Sequence, residues 1–286
     1  MRLTMTIAAL AILGGCVIVV PDGHSKYGWS SSESIKGNGS SATETRNVAG
    51  TTALRIENRR SVDMDVEVRI GGPSTLTVDG DSNLLPLVHT DVEGDTLKVW
   101  TDADLRSSGP IRVVFTAPRL RELSSTGSVR VDVNGLNGGA LRVSHTGSGH
   151  VIIRGRLDDL DLNHTGSGFF AGEGLESRSA HVNMVGSGRI DVGVVRGDAL
   201  RVNSTGSGGL QGRGAVRQLD VQAQGSGRMY LTDLRAEVAS LSSSGSGGID
   251  AYVSQKVEAH GSGSGSIQVS GNPAERNLSG RRTSVQ

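Results

Sequence analysis

A Gly-Ser-Gly motif recurs through the second half of the chain, and its nearly constant spacing restricts the fold more than any other feature. A serine follows the first glycine in all eight copies, and a second glycine follows in every copy except the first, which has Val129. A fixed period of this kind is typical of proteins in which one small structural unit stacks on the next. The first glycines lie 18–20 residues apart and are Gly127, Gly147, Gly166, Gly186, Gly206, Gly225, Gly245 and Gly263.

The residues around each motif alternate between apolar and polar types, as they do in β-strands with one buried face. If the first glycine is position 0, positions −6, −4, +4 and +6 are mostly aliphatic or small, whereas the odd positions are mostly polar. Because the same columns recur in phase, we predict an all-β fold, a single-stranded parallel β-helix (β-solenoid) with coils of about 20 residues. Aromatic residues make up only 3% of the chain, so its core is expected to be thin and aliphatic. Position −4 shows the pattern with Leu123, Val143, Leu162, Val182, Val202, Val221, Leu241 and Ala259.

Three outward-facing columns predict which side chains meet when the coils stack. Charges at position −5 mostly alternate in sign, so neighbouring coils are expected to form surface ion pairs. Position −3 carries Asn163, Asn183 and Asn203, which predict an amide ladder. Three aspartates share position +5, and Arg130 and Arg189 lie two residues before two of them, which suggests further ion pairs. The −5 column is Glu122, Arg142, Asp161, His181, Arg201, Asp220, Ser240 and Glu258, and the +5 aspartates are Asp132, Asp191 and Asp250.

The segments on either side of the repeats differ from them in composition. Residues 47–120 contain alternating or β-branched runs without a twenty-residue copy, and we interpret them as irregular strands that cap the N-terminal end of the solenoid. Residues 16–46 are rich in Ser and Gly and are predicted to form a flexible tether. Residues 271–286 are interpreted as a polar tail, so the β-helix is predicted to span 47–270, with the eight repeats in 121–270.

The first residues resemble a bacterial lipoprotein signal peptide of residues 1–15. Arg2 supplies a positive charge, an apolar run follows, and Leu13-Gly14-Gly15-Cys16 is similar to a lipobox, in which the cysteine thiol receives a diacylglycerol. An uncleaved membrane anchor, or an ordinary signal peptide with a chance cysteine, would also fit the apolar run. We predict lipidation at Cys16, with further acyl chains such as palmitate to secure the anchor. Val17, in place of an aspartate, indicates an outer-membrane lipoprotein if the host is Gram-negative.

Over residues 46–270 the chain resembles a bacterial family of unknown function, the putative auto-transporter adhesin, head GIN domain family. The resemblance is carried by VDMDVEVRIGGPSTLTVDGDSNLLPLVHTDVEGDTLKVW, by IRVVFTAPRLRELSSTGS and by the GSG-punctuated repeats. It implies a β-helical fold, right-handed by analogy with the family, in an exported or lipid-anchored protein. It also implies an adhesive role, but it assigns no catalytic, cofactor-binding or metal-binding residue to any position of this chain.

The repeated serines are not expected to be nucleophiles. A catalytic Gly-x-Ser-x-Gly elbow needs a following helix and partner Asp and His residues, and eight equivalent nucleophiles would serve no purpose. A phosphate-binding loop also needs a helix after the glycines, and calcium-binding repeats carry an aspartate within the turn, which none of these motifs has. We interpret the glycines as tight corners with a positive φ or close packing, and the Ser and Thr hydroxyls as turn caps rather than as a flat hydroxyl ladder.

His145 and His164 are the strongest metal candidate, since they share position −2 in adjacent repeats and should stack. Two imidazoles without a third ligand make a weak site, so we predict no metal and no cofactor. The formal net charge is +0 and we find no basic block, which argues against a nucleic-acid partner.

Together these features predict a non-enzymatic, lipid-anchored protein of the cell envelope with a structural or adhesive role. Its partners would be the membrane, through the N-terminal lipid, and a cell-surface or glycan ligand. The alternative is an envelope protein that binds or modifies polysaccharide through a site in residues 51–118. A cluster of Asp, Glu and Arg on one face of that segment would favour the alternative.

Overall fold

The computed structural model describes residues 34–60 and 62–286 of the chain. The predicted signal peptide at residues 1–15, the lipidation site Cys16 and the first part of the predicted tether lie outside the described residues. Strands dominate the described part, which has one turn of 3₁₀-helix at Leu85–Leu87. No helix within it is long and apolar enough to cross a membrane.

The strands divide into those before the repeats and those within or after them. Before the repeats lie β1 (Ile35–Lys36), β2 (Ser41–Asn47), β3 (Ala53–Asn58), β4 (Met64–Ile70), β5 (Thr75–Asp81), β6 (Val88–Glu93), β7 (Thr96–Thr101), β8 (Leu105–Arg106) and β9 (Ile111–Ala117). The first repeats contribute β10 (Glu122–Gly127), β11 (Arg130–Asn137) and β12 (Ala140–Gly147). The later coils are nearly continuous bent strands, namely β13 (His150–Gly166), β14 (Phe169–Gly186), β15 (Arg189–Gly206), β16 (Gly209–Gly225), β17 (Arg228–Gly245) and β18 (Gly248–Gly263), followed by β19 (Ser266–Ser270), β20 (Glu275–Ser279) and β21 (Thr283–Val285).

Successive coils pair in parallel along most of their length, which confirms the predicted β-solenoid. The register places each position of the repeat directly on its counterpart, so that Leu162 pairs with Val182 and Gly166 with Gly186. The Gly-Ser-Gly corner separates the segment before it from the segment after it. The segments before the motif stack on one another and form what we call the pre-motif sheet. The segments after the motif stack in the same way and form the post-motif sheet.

The two glycines of the motif form a tightly packed corner, although Val129 takes the place of the second glycine in the first copy. The first glycine has a positive φ in all eight copies, between 101° and 133°, and a Cβ on it would lie 2.1–2.5 Å from a carbonyl oxygen of the preceding coil. That carbonyl accepts hydrogen bonds from the next coil, as Gly166 does at 3.0 Å from the backbone N–H groups of Ser187 and Gly188. The predicted corner, with a positive φ and close packing, is confirmed.

Aliphatic side chains at even positions fill the interior as one continuous core. Position −4 is buried in all eight coils, from Leu123 at 0% exposed to Ala259 at 1%. Phe115 and Phe170 are the fully buried aromatic side chains among the described residues. The expected aliphatic core is therefore confirmed, and its small side chains fit the short distance between the sheets of a narrow coil.

Residues 47–120 add parallel strands to both sheets, and further strands in this segment cover the exposed edges. β3 and β4 stack in parallel on β10 and β11 and form one more coil, with Asn58 paired to Gly127 at the corner. β7 and β9 add another parallel layer. The antiparallel strands β6, β5 and β2 then cover the remaining edges. The repeat pattern did not reveal the extra coil because its corner is Asn58-Arg59-Arg60 instead of Gly-Ser-Gly.

Two segments predicted to be irregular are strands instead. β2 takes up the last residues of the tether predicted at 16–46, because it pairs antiparallel with β5 and its Arg46 donates hydrogen bonds to the carbonyls of Leu85 and Val88. The polar tail predicted at 271–286 contains β20 and β21, which stack in parallel on β18 and β19. Leu278 and Val285 explain this second difference, since both pack against the core.

Candidate functional site

The outward side of the pre-motif sheet presents a regular surface along the solenoid. The parallel register brings positions −5, −3 and −1 of successive coils into rows, with coils spaced about 4.8 Å apart. We call this surface the ladder face. In its five central coils the rows are Arg142, Asp161, His181, Arg201 and Asp220 at position −5, Ser144, Asn163, Asn183, Asn203 and Gln222 at position −3, and Thr146, Thr165, Val185, Thr205 and Gln224 at position −1.

Ion pairs link neighbouring coils along the −5 row, as predicted. Arg142 Nε lies 3.1 Å from Asp161 Oδ2, and Arg201 Nε lies 3.4 Å from Asp220 Oδ2. The two arginine side chains are 66% and 56% exposed, so each pair adds little to the free energy of folding. Their larger effect is on the pattern of charge that the surface presents to a partner.

The predicted amide ladder is present in the −3 row. Asn183 Nδ2 donates to Asn163 Oδ1, and Asn203 Nδ2 donates to Asn183 Oδ1, both at 3.0 Å. These bonds hold three neighbouring side chains in one orientation. The ladder face is thus ordered before any partner binds, which lowers the entropy lost on binding.

Hydroxyl groups dominate the edge of the ladder face beside the corner. Thr146, Thr165 and Thr205 are exposed, and Val185 interrupts their row with a side chain that is 51% exposed. The eight motif serines are exposed too, and none of their hydroxyls bonds to another described residue. The expectation that these serine hydroxyls cap the turns is therefore wrong. In six of the eight corners the backbone N–H groups of the serine and of the second glycine are already bound to the preceding coil, so these hydroxyls are left to solvent.

A groove of about 640 Å³ borders the −5 row. Small residues, including Ala140, Ser179 and Ala199, line it together with charged side chains from four coils and with His181 from a fifth. Arg121 closes one end and forms an ion pair with Asp95, whose pKa is held well below its usual range chiefly by the hydrogen bond from Arg121. Sequence reasoning missed this groove, although the small residues at position −7 were a signal for it.

His145 and His164 stack inside the core, as predicted, with ring centroids 5.2 Å apart. Both are buried, and their ring nitrogens lack a hydrogen-bond partner among the described residues. A Cβ on Gly168 would lie 2.6 Å from His145 Nε2, so the second glycine of the motif in the next coil makes room for the ring. Burial, reinforced by His164, lowers the pKa of His145 to about 4, and burial also lowers the pKa of His164.

Among the described residues, the histidine pair has no third side chain beside it that could complete a metal centre. Within residues 34–60 and 62–286, no three His, Cys, Asp or Glu side chains come together in a way that could hold a metal ion. The −2 column continues with the buried Met184, whose sulfur lies against Gly208 much as the imidazole of His145 lies against Gly168. The pair therefore fills space in the core beneath the corner.

The aspartates at position +5 bind arginines of neighbouring coils. Arg130 and Arg189, the partners that the sequence suggested, make none of these contacts. Coils are spaced about 4.8 Å apart, whereas residues two apart on one strand are separated by about 6.6 Å, which favours contacts between coils. The observed pairs are Arg154–Asp132 at 3.4 Å, Arg213–Asp191 at 2.6 Å and Arg228–Asp250 at 3.4 Å.

The segment 51–118 also gathers charge on one face, where it extends the post-motif sheet. Arg112 on β9 lies in register between Asp65 on β4 and Asp79 on β5. Thr43 Oγ1 donates to Asp79 Oδ1 at 2.5 Å, and a groove of about 590 Å³ runs beside these residues. This is a cluster of the kind that would favour a polysaccharide site in this segment.

Comparison with known proteins relates the whole solenoid to one family. A family model described as putative auto-transporter adhesin, head GIN domain, matches residues 56–175 and 169–273. No curated protein matches the chain.

Several solved structures share the fold. A putative lipid binding protein from Parabacteroides distasonis is 23% identical, with a TM-score of 0.61 over 88% of this chain and 96% of that chain. A putative adhesin from Parabacteroides merdae is 17% identical, with a TM-score of 0.63 over 88% of this chain and 97% of that chain. A putative adhesin from Parabacteroides distasonis is 21% identical, with a TM-score of 0.62 over 88% of this chain and 99% of that chain.

Proposed function

Because the chain belongs to the putative auto-transporter adhesin, head GIN domain family, we propose that it is a non-enzymatic adhesion protein of the cell envelope. A lipid on Cys16 holds it to the outer membrane, and the ladder face is its contact surface. The observation that carries this proposal is the ladder face itself, an exposed and ordered array of charges, amides and hydroxyls repeated from coil to coil.

The chemistry of the described residues favours binding over catalysis. A serine nucleophile is activated by a hydrogen bond to a base, and none of the eight motif serines donates to a histidine or a carboxylate. The imidazoles of His145 and His164 are buried away from solvent and substrate. Two of the similar solved structures also carry the name putative adhesin.

Fractionation of cells, combined with protease treatment of intact cells, tests this proposal. Wild type should sediment with the outer membrane and be cleaved from outside, whereas Cys16→Ala should be released because it lacks the lipid. A wild-type protein that is membrane-bound but protected from external protease would face the periplasm, and an adhesive function would then be excluded.

A polysaccharide-binding or polysaccharide-modifying role in the 51–118 segment is the second candidate. It is supported by the row of Asp79, Arg112 and Asp65, since carboxylates and guanidinium groups bind sugar hydroxyls in pairs. The double variant Asp65→Asn/Asp79→Asn should abolish retention on purified envelope polysaccharide if this role is real. Unchanged retention, or none in wild type, would argue against it.

A further inference from the structure

The −5 row of the ladder face is antisymmetric in charge about His181. From Arg142 to Asp220 the row runs positive, negative, histidine, positive, negative. Reversing its direction exchanges every sign. A second copy of the row, laid face to face and antiparallel, would place Arg142 opposite Asp220 and Asp161 opposite Arg201.

The other two rows fit the same arrangement. In the −3 row Asn163 would face Asn203, and amides can both donate and accept hydrogen bonds. In the −1 row Val185 lies on the same coil as His181 and would meet its own counterpart at the centre. Since Val185 is 51% exposed, this contact would bury an apolar side chain that now faces water.

We propose that the ladder face binds a second copy of this chain, related by a two-fold axis at the coil that carries His181, Asn183 and Val185. The inference rests on the adhesive function proposed above and names its partner. An isologous contact requires a surface that is complementary to itself, and an antisymmetric row of charges meets this requirement. The contact ends at the bordering groove, because on its far side Asp158 would face the like-charged Asp198 of the second copy.

The antiparallel arrangement also sets the direction of the contact. The described chain begins at Ser34, and β1 and β2 belong to the N-terminal layers of the solenoid. In an antiparallel pair these layers lie at opposite ends, so the two described chains begin at opposite ends of the pair. This arrangement is compatible with contact between two cells.

The size of the surface predicts a weak contact in dilute solution. Five coils and positions −7 to −1 span about 24 Å by 20 Å, or roughly 500 Å² per copy. Stable dimers bury about 800 Å² per partner, so one pair should dissociate readily. Many copies confined to facing membranes would bind more tightly through their high local concentration.

Sedimentation equilibrium of the full chain carrying Cys16→Ala tests the proposal over a wide range of concentrations. Arg142→Asp and Asp220→Arg should each weaken association about tenfold or more, because both charge pairs of the dimer become repulsive. The two changes in one chain should restore it. Arg142 and Asp220 are four coils apart, about 19 Å, so the recovery can arise only from a contact between copies.

Two further variants check the location of the contact. Val185→Lys should abolish association, because it brings like charges together at the axis. Arg154→Asp is the matched control, since Arg154 carries a similarly exposed ion pair on the post-motif sheet, and it should leave association unchanged. Circular dichroism and thermal unfolding show whether each variant keeps its fold.

The outcomes separate this proposal from the broader adhesive function. A chain that stays monomeric at every concentration, or association that the double charge exchange does not restore, would overturn self-recognition. In cell mixing, self-recognition predicts adhesion only when both populations carry the protein. Adhesion to cells that lack it would support the adhesive function and contradict a second copy as the partner.

Discussion

Gly186 and Ser187 show how differently neighbouring residues of one corner are constrained. Gly186 has a φ of 120°, and a Cβ on it would lie 2.4 Å from the carbonyl oxygen of Gly166. Ser187 is exposed, and its hydroxyl bonds to no described residue. The glycine is therefore required by the stacking of the backbone, whereas the exposed serine side chain can contact solvent or a partner.

Gly186→Ala should lower the free energy of unfolding by roughly 2–4 kcal/mol, because the methyl group combines backbone strain with a clash against a rigid carbonyl. Ser187→Ala is the matched control and should change it by less than about 0.5 kcal/mol. Urea denaturation of both variants provides the measurement. Equal effects of the two changes would show that the corner does not depend on the glycine.

Burial of His145 and His164 predicts loss of stability in acid. Their folded-state pKa values lie below the usual 6.5, with His145 at about 4, so the unfolded chain takes up protons first as the pH falls. The free energy of unfolding should decrease from about pH 6.5 towards pH 4, by roughly 3 kcal/mol for His145 alone. Replacing both with Met, as at Met184 in the same column, should flatten this dependence in thermal unfolding.

His260→Met is the control for that experiment, since His260 is exposed on the pre-motif sheet and is not among the groups that lower the pKa of His145. It should leave the pH dependence as in wild type. If the double variant loses stability between pH 6.5 and 4 as steeply as wild type, the buried pair is not the source of the acid sensitivity.

Many outward-facing side chains gain partners from the next coil. The amide ladder is an example, since Asn183 donates to one neighbouring coil and accepts from the other. Removing a middle member leaves a donor on Asn203 and an acceptor on Asn163 without their partners. A ladder of this kind makes adjacent strands interdependent even though each surface bond is weak.

Asn183→Leu should lower the free energy of unfolding by about 1–2 kcal/mol, because two amide hydrogen bonds are lost, one of them partly buried. Gln222→Leu is a suitable control, since Gln222 occupies the same row but is exposed and makes no side-chain hydrogen bond to a described residue. Chemical denaturation of the two variants compares them directly. Similar losses would mean that the ladder adds nothing beyond the polarity of the surface.

The solenoid as a whole behaves as a series of nearly identical layers, so its stability should depend on contacts between neighbours. Deleting residues 187–206 removes one full period and joins Gly186 to Ser207, which keeps every column in register. The shortened chain should remain folded, with near-native β-sheet circular dichroism and a slightly lower Tm. Deleting residues 187–196 instead breaks the register and should prevent cooperative unfolding.

The one-coil deletion also bears on self-association. It places Asp220 next to His181 in the −5 row, so the row is no longer antisymmetric. The shortened chain should fold but lose its tendency to pair. Folding and recognition can thus be separated within one variant.

The sequence by itself determined the parallel solenoid, its corners and the rows of its ladder face. This was possible because residues about 20 positions apart are spatial neighbours in a stack with fixed register, so the columns of the repeat list the contacts directly. Only the tertiary structure decided the rest. The runs at β3 and β4 predict strands, but only the structure shows that they stack on β10 and β11 as one more coil. The strands β20 and β21 have weak patterns of their own and form because an edge of the solenoid offers them backbone partners. The partner of Asp191 is likewise Arg213 because the pairing of β15 with β16 shifts its register between Asp191 and Val194, which changes the residues that stand opposite each other.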